Sequence, residues 1–216
     1  MTVRLSRKRH ALWALLALPL AALAVTITTA NAASGGISRN PTGGNELSGD
    51  GAPFGTRVLR EGMQGDDVRI LNGIVTSKDY ASGVRVIDTF ESATARAVRE
   101  FQRNWNLAPS GVVNRTTAKT LVRSMKVTQA TWYGPGLYGA HTACGQTLRA
   151  TTIGVANRTL PCGTKVTFAY HGHYLIAPVI DRGPYGPAGR DFDLTWATRQ
   201  ALHFGDVDRI RYAAAR

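Results

Sequence analysis

Between residues 57 and 126, apolar side chains recur at helical spacing. In "LREGMQGDDVRILNGIVTS", Val68, Leu71 and Val75 fall on one face with Ile70 and Ile74 beside them, and Gly65 and Asp66 mark a helix start. In "SATARAVREFQRNWNL", Ala93, Ala97, Val98, Phe101 and Trp105 share a face, and Ser92 stands where an N-cap belongs. A third run, "RTTAKTLVRSM", aligns Ala118, Leu121, Val122 and Met125. Three short amphipathic helices in this window predict a small all-α, three-helix domain.

Past Lys126 the period shortens. "KVTQATWYG", "TKVTFAYHG" and "HYLIAPVID" are β-branched or aromatic runs bounded by glycine turns, and they read as strands. "LTWATRQALHFG" places Leu194, Ala197, Ala201 and Phe204 at helical spacing and stops at Gly205, the expected C-cap. "DRIRYA" predicts a closing strand. Residues 127–216 are therefore expected to form a mainly β domain, a small barrel with one short helix.

The first 56 residues follow neither pattern. Arg4, Arg7, Lys8 and Arg9 precede an apolar run over 11–25, and the segment ends on Ala30-Asn31-Ala32. The run is shorter than the roughly 20 residues a bilayer-spanning helix needs, so 1–32 reads as a secretory signal peptide, with an uncleaved anchor as the alternative. Over 34–53, eleven of twenty residues are Gly, Ser or Pro, which marks 33–56 as a flexible linker.

Charge and cysteines narrow the setting. The chain has 216 residues, with 26 Lys and Arg against 14 Asp and Glu. Four of the basic residues and none of the acidic ones lie in 1–32, so the exported chain keeps 22 against 14, a net charge of +8. That balance favours anionic wall polymers as partners. The basic residues are scattered rather than clustered, which argues against nucleic acid. Cys144 and Cys162 are the only cysteines, and in an oxidising compartment they are expected to form one disulfide closing a loop of about 18 residues. Their spacing does not suit a metal site, and no cofactor is implied. His171 and His173 flank Gly172 in a predicted hairpin turn and are expected to be exposed.

Two resemblances add function. "AVREFQRNWNLAPSGVVNRTT", with the 59–71 stretch, resembles the peptidoglycan-binding domain 1 family, although Asp88-Thr89-Phe90-Glu91-Ser92 stands where that family carries glycines. "ATWYGPGLYGAHTACGQTL", "IGVANRTLPCGTKVTF" and "VIDRGPYGPAGRDFDLTWATRQAL" together resemble the double-psi β-barrel domain of the rare lipoprotein A family, related to expansins. The resemblance implies a six-stranded double-psi β-barrel with a sugar-binding groove. It also implies a secreted, wall-associated bacterial protein, expected to be monomeric, that binds peptidoglycan glycan strands and cleaves them as a lytic transglycosylase, leaving 1,6-anhydromuramyl ends. The alternative it leaves open is a non-catalytic, expansin-like wall-loosening protein.

One carboxyl can protonate a glycosidic oxygen and then accept the proton of the attacking muramic 6-hydroxyl. Asp181, at the end of the predicted strand "HYLIAPVID", is the leading candidate, with an Asx-turn role as its structural alternative. Asp193 in "FDLT" is the second catalytic candidate, rivalled by a helix-cap role that Thr195 also suits. Tyr133 and Tyr185 are candidate sugar-binding aromatics. Arg182 either holds a carboxylate of the substrate or pairs with Asp191 or Asp193. Gln146 stands where enzymatic members of the family carry a glutamate, and Asn157 where they carry a histidine; both are expected to bind sugar hydroxyls. Cys144 and Cys162 lie in those two segments, so a disulfide would clamp them together.

Overall fold

The computed structural model describes residues 52–186 and 189–215. The predicted signal peptide and most of the predicted linker lie outside the described residues.

Helix α1 (Asp66–Val75) opens with two carboxylates in its first turn, where they face the positive end of the helix. Asp67 is buried, and Arg57 clasps it with Nε on Oδ2 at 2.6 Å and Nη2 on Oδ1 at 2.7 Å. A buried charge is thereby paired through two donors. Val68, Leu71, Ile74 and Val75 are fully buried, as their spacing requires. Buried Asn72 donates to the carbonyls of Ile87 and Thr89 and accepts from the Thr94 hydroxyl, fastening the irregular 76–91 segment.

In α2 (Ser92–Asn104), Ala97, Val98 and Phe101 face the core, whereas Trp105 lies just past the helix end and is 45% exposed. Ser92 is the first helical residue rather than the cap: Glu91 occupies the N-cap position and makes no side-chain capping bond. Helix α3 (Arg115–Arg123) is capped by Asn114, whose side chain accepts from Thr117 N at 2.9 Å.

Six strands follow: β1 (Lys126–Tyr133), β2 (Val155–Ala156), β3 (Lys165–Tyr170), β4 (His173–Asp181), β5 (Arg190–Thr195) and β6 (Asp208–Ala214). They close a barrel in the order β1-β5-β2-β4-β3-β6, with β1/β5 and β2/β4 parallel and the other four pairs antiparallel. Phe168, Val179, Phe192, Leu194 and Ile210 fill the interior. His171 and Gly172 form the two-residue β3–β4 turn at φ 46° and 88°, the pair of left-handed conformations that joins twisted strands without splaying them.

Helix α4 (Trp196–Ala201) is shorter than its sequence pattern suggests. Leu194 belongs to β5, Thr195 is the N-cap, and the helix ends at Leu202 with His203 turning left-handed at φ 51°. Gly205 lies beyond the helix, and its carbonyl accepts from Arg199 Nε.

Helix α1 lies directly on the outer wall of the barrel. Ala169 of β3 and Ala213 of β6 belong to the same buried cluster as α1, with Tyr174 and Ile176 of β4 packed against it. Phe54 meets Tyr174 edge-on at 5.6 Å. Gly73 allows this approach, since a Cβ there would lie 2.1 Å from Thr167 Oγ1.

Candidate active site

The barrel brings two of the three aspartates in the "VIDRGPYGPAGRDFDL" stretch into line through a two-residue strand that sequence periodicity does not show. Ala156 of β2 is the Cα partner of Asp181 on β4 and also of Asp193 on β5. Two strand spacings put the two aspartate Cα atoms about 10 Å apart. On β1, Thr131 is the partner of Asp193, and Tyr133 lies two residues further along the same face.

A register shift sets the aim of Asp181. Leu175, Ala177 and Val179 alternate into the barrel, and simple alternation would send residue 181 inward as well. Val155 pairs with Val179 but Ala156 pairs with Asp181, so Ile180 is an extra residue in β4. Such a bulge turns the following side chain. Asp181 thereby joins Ala156 and Asp193 on the outer face, half-buried. A matching shift on β5 makes Asp191 the extra residue, and its carboxylate lies 3.8 Å from Arg158.

The two carboxyls have different surroundings. Asp181 Oδ1 accepts from the backbone N–H groups of Ala143 and Arg182, both at 2.8 Å. Ala143 adjoins Cys144, and the Cys144–Cys162 disulfide ties its loop to the 157–164 loop. Asp193 accepts one bond, from the Thr131 hydroxyl at 2.7 Å. Burial pushes the Asp193 carboxyl above the usual carboxylate range and the charge of Asp181 adds to the rise, while the Thr131 bond and Arg190 oppose it. The Tyr133 hydroxyl is buried close to the Asp181 carboxylate, in reach of it but outside strict hydrogen-bond geometry. Burial, and then the charges of Asp181 and Asp193, raise its pKa well above the usual phenol value, so it stays protonated as a donor facing the two carboxyls.

The remaining candidates separate. Tyr185 is 80% exposed on the loop after β4, with its ring free. Gln146 is exposed in the 141–147 turn, its backbone bonded to Thr142. Asn157 is buried and occupied: its amide donates to the carbonyl of Asp191 and its oxygen accepts from the backbone of Thr159 and Leu160. It holds the loop and has little capacity left for a sugar hydroxyl. Arg182 pairs with neither Asp191 nor Asp193; its guanidinium donates to the carbonyls of Asn157 and Leu160 and to Cys162 Sγ. Asp193 caps nothing, because the cap of α4 is Thr195. Trp132 packs against Trp196 at a tilt of 59°, with ring centroids 5.2 Å apart, and donates to Asp206, with Arg199 over both rings. Thr131 is the residue that sequence reasoning missed. Its position two residues before Tyr133 on a strand was the available signal. Among the described residues, no cluster of three or more His, Cys, Asp or Glu is placed to hold a metal ion.

This geometry coincides with the segments that match known families. Residues 125–209 match the family model described as "Lytic transglycolase", and residues 64–121 match the one described as "Putative peptidoglycan binding domain". The chain therefore carries, in order, a segment similar to a peptidoglycan-binding domain and a segment similar to a lytic transglycolase domain. The transglycolase match takes in the paired aspartates, Tyr133 and the disulfide loops. A "Probable endolytic peptidoglycan transglycosylase RlpA" of Synechocystis sp. is 37% identical over 92 residues, covering 42% of this chain and 28% of the relative. An "Endolytic peptidoglycan transglycosylase RlpA" of Neisseria meningitidis is 31% identical over 124 residues, covering 55% and 52%. The chain thus spans between 21% and 52% of the length of such relatives. Among solved structures, the SleB N-terminal domain is 28% identical with a TM-score of 0.31, over 33% of this chain and 96% of that one. No described helix is long and apolar enough to cross a membrane.

Proposed function

We propose that the protein is exported to the bacterial cell wall, binds peptidoglycan through residues 57–126 and cleaves its glycan strands with the double-psi β-barrel of residues 127–216, as a lytic transglycosylase. The observation that carries this reading is the alignment of Asp181 and Asp193 on Ala156, with Tyr133 on the same face and near enough to feel both charges. The names of the RlpA relatives support the reaction class.

The environments divide the labour. Asp193, desolvated and raised, is the proton donor: its carboxyl O–H protonates the glycosidic oxygen as the bond to the muramic anomeric carbon breaks. The resulting carboxylate takes the proton of the muramic 6-hydroxyl as that oxygen closes on the same carbon, so one carboxyl acts as acid and then as base. Asp181, oriented by two backbone N–H groups, places negative charge beside the positive charge that develops on the sugar ring. Tyr133 donates to a substrate oxygen. This assignment transfers the acid role that sequence favoured for Asp181 to Asp193, because Asp193 is the carboxyl that the fold desolvates.

Digestion of purified peptidoglycan and of peptide-free glycan strands, followed by mass spectrometry, tests the reading. Anhydromuramyl ends are expected, and both Asp193→Asn and Asp181→Asn should abolish them in folded protein. Reducing muramyl ends would identify a hydrolase instead. Binding to insoluble wall without new ends from either substrate would sink catalysis in favour of the expansin-like alternative.

A further inference from the structure

A second recognition surface lies where α3 meets the barrel, and it shares no residue with the aspartate face. A cleft of about 430 Å³ opens there between Val122 of α3, Val127 of β1, the β3–β4 turn and the outer face of β6. Its floor is apolar, with Val122, Val127, Ala169 and Tyr174, and Val127 is 41% exposed. Its polar wall is cationic. Arg209 and Arg211 stand at i and i+2 on β6, opposite Gln129 and Val127 of β1.

The positive charge continues out of the cleft. Arg115, Lys119 and Arg123 occupy one exposed face of α3 at successive intervals of four residues. Arg211 Nη1 donates to the carbonyl of Arg123, which links the two rows. None of these five cations forms an ion pair among the described residues, whereas Arg57, Arg69, Arg85, Arg103, Arg158 and Arg199 all do. Asp208, the carboxylate next to Arg209, is taken by the Tyr170 hydroxyl and the backbone N–H of Arg209.

Spacing indicates the ligand. Neighbouring cations advance about 6 Å along α3 and about 7 Å along β6, so the surface presents a repeat rather than a single anion hole. A linear polyanion with permanent charges at short regular intervals fits such a row, and guanidinium forks suit phosphate oxygens. The apolar floor between the arginines accommodates the carbon linkers. We infer that this cleft and the α3 ridge bind a linear polyol-phosphate polymer, a phosphodiester-linked chain, at a site separate from the glycan groove.

Titration of the protein with short poly(glycerol phosphate) at about 0.15 M salt tests the site. Arg209→Gln with Arg211→Gln is expected to weaken binding about tenfold and to reduce the dependence of log K on log salt by about one for each charge removed. Lys119→Gln, on an exposed helix face that carries no packing, should weaken it two- to threefold, about what one exposed contact contributes. The control is Arg60→Gln with Lys165→Gln, which removes equal charge from exposed positions elsewhere and should change binding less than twofold. Equal losses in the control would overturn the inference, because net charge alone would then explain binding. Poly-L-glutamate bound equally tightly through the same arginines would overturn the phosphodiester assignment. Cleavage of peptide-free glycan strands by the Arg209/Arg211 variant should be unchanged, so failure here is distinguishable from failure of the catalytic reading.

Discussion

Replacing Gly73 by alanine tests whether the helical segment and the barrel form one packed unit. In an exposed helix interior, Gly→Ala stabilises by about 1 kcal/mol. Gly73 is not exposed: an added Cβ would sit 2.1 Å from Thr167 Oγ1, 3.0 Å from Ile176 Cδ1 and 3.4 Å from Thr167 Cβ. Ordinary contacts begin near 3.5 Å, so the methyl overlaps Thr167 by more than 1 Å. Rotating Thr167 only so that its methyl group takes the place of the hydroxyl gives no relief, and Ile176 Cδ1 at 3.0 Å crowds the added methyl as well, so the side chains must shift off their packed positions or α1 must lift from β3. Overpacking of this kind costs about 1–3 kcal/mol, and the large overlap places it at the upper end. Set against the helix gain, the net loss is about 2 kcal/mol, or a fall in Tm of roughly 4–8 °C for a unit of this size. Differential scanning calorimetry with limited proteolysis would read it. The partner mutation sharpens the test. Thr167 Oγ1 is buried without a hydrogen bond, so Thr167→Ala should cost little alone and should restore most of the stability of Gly73→Ala. If Gly73→Ala raises Tm by itself, α1 is not seated on β3 and the shared core is wrong.

Three further outcomes follow from the site. Asp193→Asn should abolish cleavage yet stabilise the fold at neutral pH. A raised folded pKa means that the native state holds the proton more tightly than the unfolded chain, so the wild type loses stability as pH climbs from the ordinary carboxyl value through the folded one. Melts of both proteins across this range should therefore coincide at low pH and diverge above it, and parallel curves would refute the desolvation argument. Thr131→Val removes the hydroxyl that holds the Asp193 pKa down, so the basic limb of the kcat profile, where the acid is lost, should move to higher pH; a shift to lower pH would overturn the proton-donor assignment. Reduction of Cys144–Cys162, which closes an 18-residue separation, should cost about 3 kcal/mol and lower kcat by loosening the 143–146 turn that feeds Ala143 N–H to Asp181; unchanged kcat in reduced, folded protein would deny that role.

The helices and the long strands were legible in the chain because each has a period of its own. Val68, Leu71 and Ile74 recur at helical spacing, and "HYLIAPVID" is a β-branched and aromatic run bounded by a glycine turn; that Leu175, Ala177 and Val179 are the inward residues of this run was set by the fold. The cysteine pair and the β3–β4 turn were legible for similar reasons, the first from chemistry and the second from a glycine between two strand patterns. Caps were read less well. Ser92 and Gly205 have the right residue types, but which residue leaves helical φ/ψ depends on how the flanking segments are held: Glu91 takes the N-cap position of α2, and α4 ends at Leu202 with His203 turning left-handed.

Motifs singled out Asp181, Asp193 and Tyr133, but sequence could not assign them roles. Strand β2 is two residues long and has no period to detect, yet it is the element that brings the two aspartates into register. The bulge at Ile180 depends on pairing with β2, and the desolvation of Asp193 on strands and loops distant in sequence. Asn157 and Arg182 look like ligands in a motif and become loop braces once their partners are in place. Local pattern therefore determined which segments are helix and strand and which residues are candidates for the chemistry. Only closure of the barrel decided which carboxyl is buried and which is held by backbone donors, and only the meeting of α3 with the barrel formed the cationic cleft. Electrostatic environment and cavity shape are set by neighbours that the chain separates by tens of residues.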